Sequence, residues 1–457
     1  MTRADRSRRD AERAADEAAK EVYQAILSRS PEHDFEPTLD RVRAVCDLLG
    51  DPQKAFRTVH VTGTNGKTST SRMIDSLVRE HGLRTGRFTS PHLTSPRERI
   101  AIDGEPISAA RFVEVWQDVA PYIHMVDTKS ALEGGPRMSF FEVLTAMAFA
   151  AFADAPVDVA IIEVGMGGTW DATNVVDGEV AVITPIALDH EKWLGHDLVS
   201  IAGEKSGIIK DGATVVMSNQ HDDVEGVLLA AAAQCGARVV REGVDVSVTE
   251  RTVAVGGQLI SLRGLGGVYT EIFLPMYGEH QAHNALLALV ATEALMTGGA
   301  ALDGDVVGAG FANSDSPGRL EVLRSSPTII VDAAHNPAGI EALVAGVEEA
   351  FEFTRLVGVV GVLQDKDAEA VLAGLEPLLA EIVITRSSSP RSYDVTDLQD
   401  IAIEVFGEDR VHAVERLDDA LDLGVQLAEA AEQYGAGVLV TGSITMVADV
   451  RILLGRG

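Results

Sequence analysis

A short segment near residue 60 combines the residue types that bind a phosphate chain. Gly63-Thr64-Asn65-Gly66-Lys67-Thr68 follows a β-branched, apolar stretch at Arg57–Thr62 and precedes a helix predicted over Thr68–Arg79. In such a turn, backbone N–H groups hold an anion, a lysine reaches the outer phosphates and a hydroxyl meets Mg²⁺. Val61 stands where the pattern G-x-x-x-x-G-K-[ST] has its first glycine, so a plain glycine-rich turn with a surface lysine is the alternative. Because strand, turn and helix follow in the required order, we predict a phosphate-binding loop.

An acidic residue near the end of a second apolar stretch fits the same chemistry. Val157–Gly165 is mostly apolar, as expected of a central parallel strand, and Glu163 lies near its end. A carboxylate at the C-terminal end of a buried strand is where an acid that orders Mg²⁺ belongs in a nucleotide-binding domain. The alternative for Glu163 is a buried ion-pair partner.

Two further candidates are ambiguous from the residues alone. His190 ends the turn Leu188-Asp189-His190, after a strand predicted at Val180–Ile186, and this position is typical of a turn or surface histidine. Lys205 lies in a helix predicted over Ile201–Lys210, where most lysines are solvated. Spacing by itself therefore assigns neither residue to a site.

The elements that must position these residues indicate an α/β protein with two domains. Residues 21–314 are predicted to form a phosphate-loop domain with a mostly parallel sheet and a β-rich annex at Val239–Pro275. Residues 1–20 are predicted to form a flexible surface tail, either frayed or helical. Residues 315–457 are predicted to form a smaller, open, Rossmann-like α/β domain. Its predicted strands are Thr328–Asp332, Leu356–Leu363, Glu381–Thr385, Val411–Val414 and Gly437–Thr441. We expect this second domain to close over the ligand held by the first, because ligand clefts commonly lie between domains.

One segment of the first domain is predicted to be irregular. Thr85–Ile100 is rich in Ser, Thr, Pro and Arg, a composition that favours a ligand-contacting loop. Pro136–Phe152, after a Gly-Gly-Pro break, is predicted to be a helix.

Composition excludes several classes of partner. The chain has 38 basic and 69 acidic residues, a net charge of −31, which leaves no surplus of positive charge for nucleic acid. The longest apolar run, Val143–Ala153, is too short to span a bilayer, and the N-terminus lacks the apolar core of a signal peptide. The two cysteines, Cys46 and Cys235, are far apart and have no metal spacing. We expect a cytoplasmic protein with no membrane or nucleic-acid partner.

Motifs along nearly the whole chain resemble those of the folylpolyglutamate synthase/dihydrofolate synthase family of the Mur ligase superfamily. In the first domain they are V-T-G-T-N-G-K-T-S at 61–69, T-S-P-H-L at 89–93, R-E-R-I at 97–100, F-F-E at 140–142, E-V-G-M-G-G-T-W-D-A-T-N at 163–174, L-D-H at 188–190, G-E-K-S-G-I-I at 203–209 and G-E-H-Q-A-H-N-A at 278–285. In the second they are P-G-R at 317–319, D-A-A-H-N-P at 332–337, D-K-D at 365–367 and V-T-G-S at 440–443.

The resemblance implies ATP as co-substrate, two Mg²⁺ ions and a set of residues that hold them. The nucleotide-binding residues are Gly63, Thr64, Asn65, Gly66, Lys67, Thr68, Ser69, Asn284, Arg319, Asp332 and His335. The first metal takes Thr68, Ser90 and Glu163; the second takes Glu163, His190 and Lys205, the lysine being carbamylated by CO₂. Lys67, His190 and Lys205 are thereby the implied catalytic residues. Because the loop reads G-K-T-S where many relatives have G-K-G-S, either Thr68 or Ser69 supplies the hydroxyl to the metal.

The resemblance also implies a folate site. Its residues are Leu39, Phe140, Phe141, Glu142, Trp170, Asp171 and Ala172. Aromatic stacking beside a carboxylate suits a pterin, whereas the alternative for the two phenylalanines is ordinary core packing. Thr169-Trp170 stands where many relatives carry arginine and leucine, a departure that bears on pterin preference.

The implied reaction is ATP-dependent addition of L-glutamate to a folate-type carboxylate through an acyl phosphate. The acceptor is a reduced folate such as tetrahydrofolate, dihydropteroate, or both, and a monomer is expected because one chain supplies both domains. A peptidoglycan-precursor ligase of the same superfamily is one alternative, although only about 60 residues precede the phosphate loop, too few for a sugar-nucleotide domain. A P-loop NTPase that regulates a partner is the other.

Overall fold

The computed structural model describes residues 3–30, 36–430 and 435–456, with side chains from residue 9 onward. The chain divides into two compact units. The first comprises Met1–Thr249, Leu262–Thr270 and Asn284–Asn313, and the second comprises Glu250–Ser261, Glu271–His283 and Ser314–Gly457. The domain limits predicted from the sequence, at 20/21 and 314/315, stay a prediction.

Helices and strands alternate along most of the described chain. The helices are α1 (Arg3–Leu27), α2 (Asp40–Leu48), α3 (Lys67–Glu80), α4 (Ala109–Leu132), α5 (Phe140–Asp154), α6 (Glu191–Leu194), α7 (Leu198–Ser206), α8 (Asp222–Gln234), α9 (Glu279–Thr297), α10 (Gly304–Ala312), α11 (Pro337–Ala350), α12 (Ala368–Leu375), α13 (Val395–Phe406), α14 (Leu417–Glu429) and α15 (Ile444–Leu453). The strands are β1 (Arg57–Thr62), β2 (Thr85–Phe88), β3 (Ile100–Ile102), β4 (Glu105–Pro106), β5 (Val159–Glu163), β6 (Val180–Ile183), β7 (Thr214–Met217), β8 (Arg238–Arg241), β9 (Ser247–Ala254), β10 (Gly257–Arg263), β11 (Val268–Leu274), β12 (Glu321–Ser325), β13 (Thr328–Val331), β14 (Arg355–Val360), β15 (Glu381–Ile384), β16 (Val411–Ala413) and β17 (Ala436–Thr441). Among the described helices, none is long and apolar enough to cross a membrane.

The first unit is built on an eight-stranded sheet in the order β4-β3-β2-β5-β1-β6-β7-β8. The pairs from β2 to β8 are parallel, whereas β3 and β4 add an antiparallel edge. The register sets Val61 opposite Glu163 and Phe88 opposite Ile162. Because the carboxyl ends of parallel strands meet at one edge, the phosphate loop, Glu163 and the segment that follows Phe88 share that edge. The predicted fold class of this unit, an α/β fold with a mostly parallel sheet, is therefore confirmed.

The second unit is built on a six-stranded sheet in the order β12-β13-β17-β14-β15-β16. β12 pairs antiparallel with β13, with an irregularity between Val322 and Arg324, and the remaining strands are parallel. Strands β9, β10 and β11 form a separate three-stranded sheet within the segment predicted as a β-rich annex.

One sequence-based prediction differs from the structure. Thr85–Ile100, predicted to be irregular, contains β2 and ends on the first residue of β3, because Gly86 and Phe88 are buried in the sheet. A methyl group on Gly86 would lie 2.6 Å from the ring of Phe152, so this strand needs its glycine for packing. The segment rich in Ser, Thr and Pro is confined to the residues between these strands.

The predicted N-terminal tail is helical from Arg3, as part of α1, which is one of the two forms expected of it. Its composition of Ala, Arg and Glu favours a helix. Ala19, Val22, Tyr23 and Ile26 recur at the spacing of one helix face and pack into the core of the first unit.

Candidate active site

The phosphate loop connects β1 to the first turn of α3 and is shaped by two glycines. Gly63 has φ +143° and Gly66 has φ +88°, backbone conformations that side chains of L-residues rarely adopt. Nζ of Lys67 donates to the carbonyl oxygens of Gly63 at 3.1 Å and Thr64 at 3.0 Å. The lysine thus lies across the loop whose anion it is predicted to hold.

Close packing around the loop also requires its glycines. A methyl group on Gly63 would lie 1.9 Å from Oγ1 of Thr184, and one on Gly66 would lie 2.4 Å from Oδ1 of Asn284. Because Asn284 leaves no room for that methyl group, it lies directly against the loop. This predicted nucleotide-binding residue is 4% exposed. Thr184 was not identified from the sequence, because nothing local to it signals contact with a residue so distant in the chain.

An acid and two hydroxyls lie at the same edge of the sheet. Oγ1 of Thr68 donates to Oε1 of Glu163 at 2.9 Å, and Glu163 is 1% exposed. Ser90, 8% exposed, follows β2, whose end is level with that of β5. Hydroxyl and carboxylate oxygens are donors that Mg²⁺ accepts, with phosphates and water completing its shell, so this set fits the ion. In the described part of the chain, no three His, Cys, Asp or Glu side chains group as a metal cage would.

Lys205 is buried beside the loop. Its Nζ donates to the Gly63 carbonyl at 2.7 Å, and the residue is 4% exposed. Burial, followed by the positive charge of Lys67, lowers the pKa of Lys205 to about 7. A neutral amine is what CO₂ requires to form a carbamate, so the environment of this lysine fits the predicted modification. The solvated position that spacing alone would favour is not found.

A glycine-rich turn fixes α7, the helix that carries Lys205. The N–H of Thr169 donates to the Glu204 carbonyl at 3.0 Å. A methyl group on Gly168 would lie 2.6 Å from that same oxygen, and one on Gly207 would lie 2.3 Å from Oγ1 of Thr169. The turn that follows Glu163 and the end of α7 are therefore interlocked, which sets the position of Lys205 relative to the sheet edge.

His190 precedes the short helix α6, in a backbone conformation with φ +51°. Its imidazole is 41% exposed, and Nε2 lies 3.9 Å from Oδ2 of Asp189. Asp189, whose side chain is 11% exposed, acts on Lys205: its negative charge opposes the lowering of that lysine's pKa. Asp189 was not predicted from the sequence, although the L-D-H motif that indicated His190 contains it.

Three of the predicted folate residues belong to the core of the first unit. Leu39, Phe140 and Phe141 are 9%, 5% and 8% exposed, as the packing alternative expected for the two phenylalanines. Phe140 nevertheless meets polar groups, since the guanidinium of Arg99 lies 5.2 Å from the centre of its ring. Phe141 packs at 5.6 Å from the ring of Phe88.

Glu142 has a structural role at the start of α5. Its Oε2 accepts from the backbone N–H of Ser139 at 2.7 Å, and its Oε1 accepts from Nε of Arg41 at 3.1 Å. Arg41 also bonds the Glu36 carboxylate and carbonyl, both at 3.1 Å. This arginine, which the sequence analysis missed, ties the segment before α2 to the start of α5.

Asp171 is the centre of a buried hydrogen-bond chain. It accepts from the backbone N–H groups of Met166 at 2.9 Å and Thr173 at 3.0 Å, and burial raises its pKa. Oγ1 of Thr173 donates to Asp171 at 2.5 Å and lies 2.9 Å from Nε2 of His60. Of its predicted folate neighbours, Trp170 is half-buried and Ala172 is 6% exposed.

The S-P-H-L segment contains a second buried histidine. Nδ1 of His92 accepts from Nε of Arg99 at 2.9 Å, and the other ring nitrogen lies 3.4 Å from the hydroxyl of Tyr23. Burial lowers the pKa of His92 to about 3, so it is neutral at physiological pH. These contacts hold the segment that carries Ser90 against α1.

In the second unit, Asp332 follows β13 at the C-terminal edge of the sheet. Its carboxylate accepts from the N–H groups of Leu320 at 2.8 Å and Ala334 at 2.7 Å, and burial raises its pKa. The charge of Arg319 opposes that rise. Nδ1 of His335 lies 2.8 Å from the Ala333 carbonyl. The structure therefore groups Arg319, Asp332 and His335 within this unit.

Comparison with known proteins identifies the two halves of the chain. Residues 127–292 match the Mur ligase middle domain, and residues 318–444 match the glutamate ligase domain of Mur ligases. A dihydrofolate synthase/folylpolyglutamate synthase of Mycobacterium tuberculosis is 50% identical over 456 residues, covering 95% of this chain and 94% of that protein.

Solved structures agree with the sequence matches. The folylpolyglutamate synthase of M. tuberculosis, solved with ADP and AMPPCP, superposes with a TM-score of 0.92 at 50% identity, over 96% of this chain and 99% of that one. The FolC protein of Escherichia coli, solved with DHPP and ADP, superposes with a TM-score of 0.82 at 28% identity, over 96% and 97%. This chain therefore belongs to the folylpolyglutamate synthase/dihydrofolate synthase family of the Mur ligase superfamily.

Proposed function

We propose that this protein uses ATP to join L-glutamate to the carboxylate of a folate-type acid, giving ADP and phosphate. The observation that carries the proposal is the buried Lys205, whose amine meets the Gly63 carbonyl of the phosphate loop at 2.7 Å. The printed functions of the relatives and the nucleotides in their structures support it. They favour it over the peptidoglycan-precursor ligase and the regulatory NTPase considered above.

The reaction begins with attack of the acceptor carboxylate on the γ-phosphorus of ATP, which forms an acyl phosphate and releases ADP. The amine of L-glutamate then adds to the acyl carbon, and the tetrahedral intermediate loses phosphate and a proton to give the amide. We assign Lys67 and the N–H groups of the loop to the β- and γ-phosphates, where they offset the charge that develops during transfer. Catalysis is then mainly positioning and charge stabilisation.

We assign Thr68, Ser90 and Glu163 to one Mg²⁺ and Glu163, His190 and carbamylated Lys205 to a second. Bound there, the ions would neutralise charge on the transferring phosphoryl group. Of the two hydroxyls left open by the sequence, that of Thr68 is favoured by its hydrogen bond to Glu163. The carbamate is favoured by burial of Lys205, whose pKa is about 7.

For the acceptor, we propose both dihydropteroate and a reduced folate that already carries glutamate. The name of the M. tuberculosis relative joins these two activities, which supports the bifunctional assignment. We retain Leu39, Phe140, Phe141, Trp170, Asp171 and Ala172 as predicted folate residues. Glu142 also stays a prediction, although Arg41 and Ser139 already engage its carboxylate. The roles of Asn284 at adenine, and of Arg319, Asp332 and His335 at phosphate and ribose, are likewise predictions.

We further propose that the protein acts as a monomer in the cytoplasm. All the assigned residues come from one chain, and ATP and reduced folates are cytoplasmic metabolites.

The test is mass spectrometry of reactions containing the protein, Mg²⁺-ATP and L-glutamate, with either dihydropteroate or tetrahydrofolate as acceptor. A gain of one glutamyl residue in both reactions supports the bifunctional ligase, and a gain with tetrahydrofolate alone supports a chain extender. No gain in either, with ATP intact, overturns the proposed function.

The carbamate has a separate test. We expect the protein equilibrated with ¹³C-bicarbonate to give a carbamate ¹³C signal that Lys205→Met abolishes. Lys210→Met is the matched control, because Lys210 is also partly buried but donates to the Asn174 carbonyl at 3.1 Å, away from the phosphate loop. A signal that survives Lys205→Met overturns the assignment.

A further inference from the structure

A buried ion pair joins the helix that follows the phosphate loop to the strand that leads to Ser90. Asp75 lies on α3 and is fully buried, and Arg87 lies on β2 and is 3% exposed. Nη1 of Arg87 donates to Oδ2 of Asp75 at 2.5 Å, while Oγ1 of Thr85 donates to Oδ1 at 2.5 Å. A second arginine, Arg79, has its Nε 3.7 Å from Oδ1. The carboxylate is therefore fixed from β2 and from its own helix.

Stability by itself does not explain such a pair. Removing two charges from water costs several kcal/mol each, and well-packed apolar residues in their place are often neutral or stabilising. The ion pair instead constrains orientation, because an arginine and a carboxylate form hydrogen bonds only in a fixed relative geometry. It therefore fixes where α3 stands relative to β2.

Both elements lead from this pair to a predicted metal ligand, over nearly equal lengths. Asp75 follows Thr68 by seven residues, so two turns of helix, rising about 10 Å, place the two side chains on one face of α3. Ser90 follows Arg87 by three residues, which span about 10 Å when extended. The ion pair thus joins α3 and β2 about 10 Å before the residues that supply the Thr68 and Ser90 hydroxyls.

The strand that pairs with β2, β5, carries Glu163, the acid predicted to bind the metal. β2 pairs with β5 up to Phe88 opposite Ile162, the residue before Glu163. Glu163 in turn accepts from Thr68, the first hydroxyl of α3, at 2.9 Å. The hydrogen bond from Thr68 to Glu163, the ion pair between α3 and β2 and the pairing of β2 with β5 therefore link the three elements that carry or lead to the predicted metal ligands.

We propose that Asp75 and Arg87 are positioning residues that set the separation of the Thr68 and Ser90 hydroxyls, and thereby the affinity of the first Mg²⁺ site. The inference rests on the proposed function, which assigns those hydroxyls to the metal. Each member of the pair acts through the element that carries it, Asp75 through α3 and Arg87 through β2.

The test uses the double variant Asp75→Leu/Arg87→Met, which replaces the pair by apolar residues of similar size. Mn²⁺ serves as the probe, and its affinity for the protein–AMPPCP complex is measured by electron paramagnetic resonance. We expect that affinity to fall about 10- to 100-fold, the usual effect of disturbing groups that support metal ligands. Binding of AMPPCP without metal, measured by calorimetry, should not change.

A second buried pair in the same unit provides the matched control. Arg29 and Asp127, joined at 2.9 Å and with side chains 10% and 9% exposed, lie outside α3 and β2. Arg29→Met/Asp127→Leu should leave the Mn²⁺ affinity unchanged even where it alters stability. Should the first double variant not fold, Asp75→Asn, which keeps the shape and removes the charge, is measured instead.

Two results would overturn the inference, and they differ in what else they affect. A folded variant with wild-type Mn²⁺ affinity removes the positioning role and leaves the proposed function intact. Wild-type protein that binds AMPPCP but shows no Mn²⁺ site removes the metal assignment itself, and with it this inference.

Discussion

Lys67 and Lys205 donate hydrogen bonds to the same acceptor, the carbonyl oxygen of Gly63, at 3.1 and 2.7 Å. One is the lysine of the phosphate loop, and the other is buried at the end of α7. Burial disfavours the charged form of Lys205, and the nearby ammonium group of Lys67 adds repulsion, so both lower the pKa of the buried lysine. The lowered pKa of Lys205 is thus partly a property of Lys67.

Removing the charge of Lys67 should therefore raise the pKa of Lys205 from its value of about 7. We expect Lys67→Met to shift the pH midpoint of Lys205 acetylation by acetic anhydride upward, as followed by peptide mass spectrometry. Lys67→Arg, which keeps the charge, should shift it much less. An unchanged midpoint in Lys67→Met would show that the charge of Lys67 does not contribute to the pKa of Lys205.

Gly66→Ala should impair nucleotide binding through Asn284. The added methyl group would lie 2.4 Å from Oδ1 of Asn284, in addition to the cost of about 1–2 kcal/mol for a left-handed backbone at φ +88°. Gly82→Ala is the control, because Gly82 has φ +79° but nothing within 4 Å of the added methyl. We expect both variants to lose stability in urea, Gly66→Ala the more because of its clash, but AMPPCP binding, measured by calorimetry, to weaken in Gly66→Ala alone. Equal binding by both variants would contradict the role of Asn284.

Arg41→Met should destabilise the protein strongly. It leaves the 4% exposed carboxylate of Glu142 buried without its arginine, a change that costs about 3–5 kcal/mol. Lys54→Met breaks an exposed pair with Asp51, with side chains 60% and 42% exposed, and should have a much smaller effect because solvent screens the two charges. Urea denaturation measures both changes. Comparable losses would mean that the Arg41–Glu142 contact does not contribute as its burial implies.

His60 should make the protein sensitive to acid. Burial lowers the pKa of His60 from 6.5 to about 3, so between these values the unfolded state binds a proton that the folded state does not. The protonation of His60 therefore leaves the free energy of unfolding unchanged well above pH 6.5 and lowers it as the pH falls from 6.5 towards 3. His60→Gln, which can still donate to Thr173, should therefore lose less free energy of unfolding between pH 7 and about 5.

Urea titrations at the two pH values measure that difference. His196→Gln is the control for replacing a histidine by glutamine, since the His196 side chain is 83% exposed. The prediction is contradicted if the free energy of unfolding of His60→Gln falls as much between the two pH values as that of the wild-type protein.

The strand, turn and helix of the predicted phosphate loop could be predicted because they are consecutive in the chain. Lys205 is the opposite case: its acceptor, Gly63, is 142 residues away, and its burial depends on how Gly168 and Gly207 pack. Periodicity within α7 carries no trace of that packing, so only the family resemblance indicated the site. Glu142 shows the same limit, because its partner Arg41 is 101 residues away. Local patterns specify elements, whereas partners across the sheet depend on tertiary contacts.

The edge strands of the two large sheets also affect the tendency of the protein to aggregate at high concentration. β4 has two residues, one of them Pro106, and β16 has three. β8 has four, and β12 is interrupted by an irregularity. Such short or broken margins offer little backbone for another chain to pair with, and a net charge of −31 adds repulsion between copies. The architecture therefore disfavours strand-to-strand aggregation while leaving the carboxyl ends of the central strands available for chemistry.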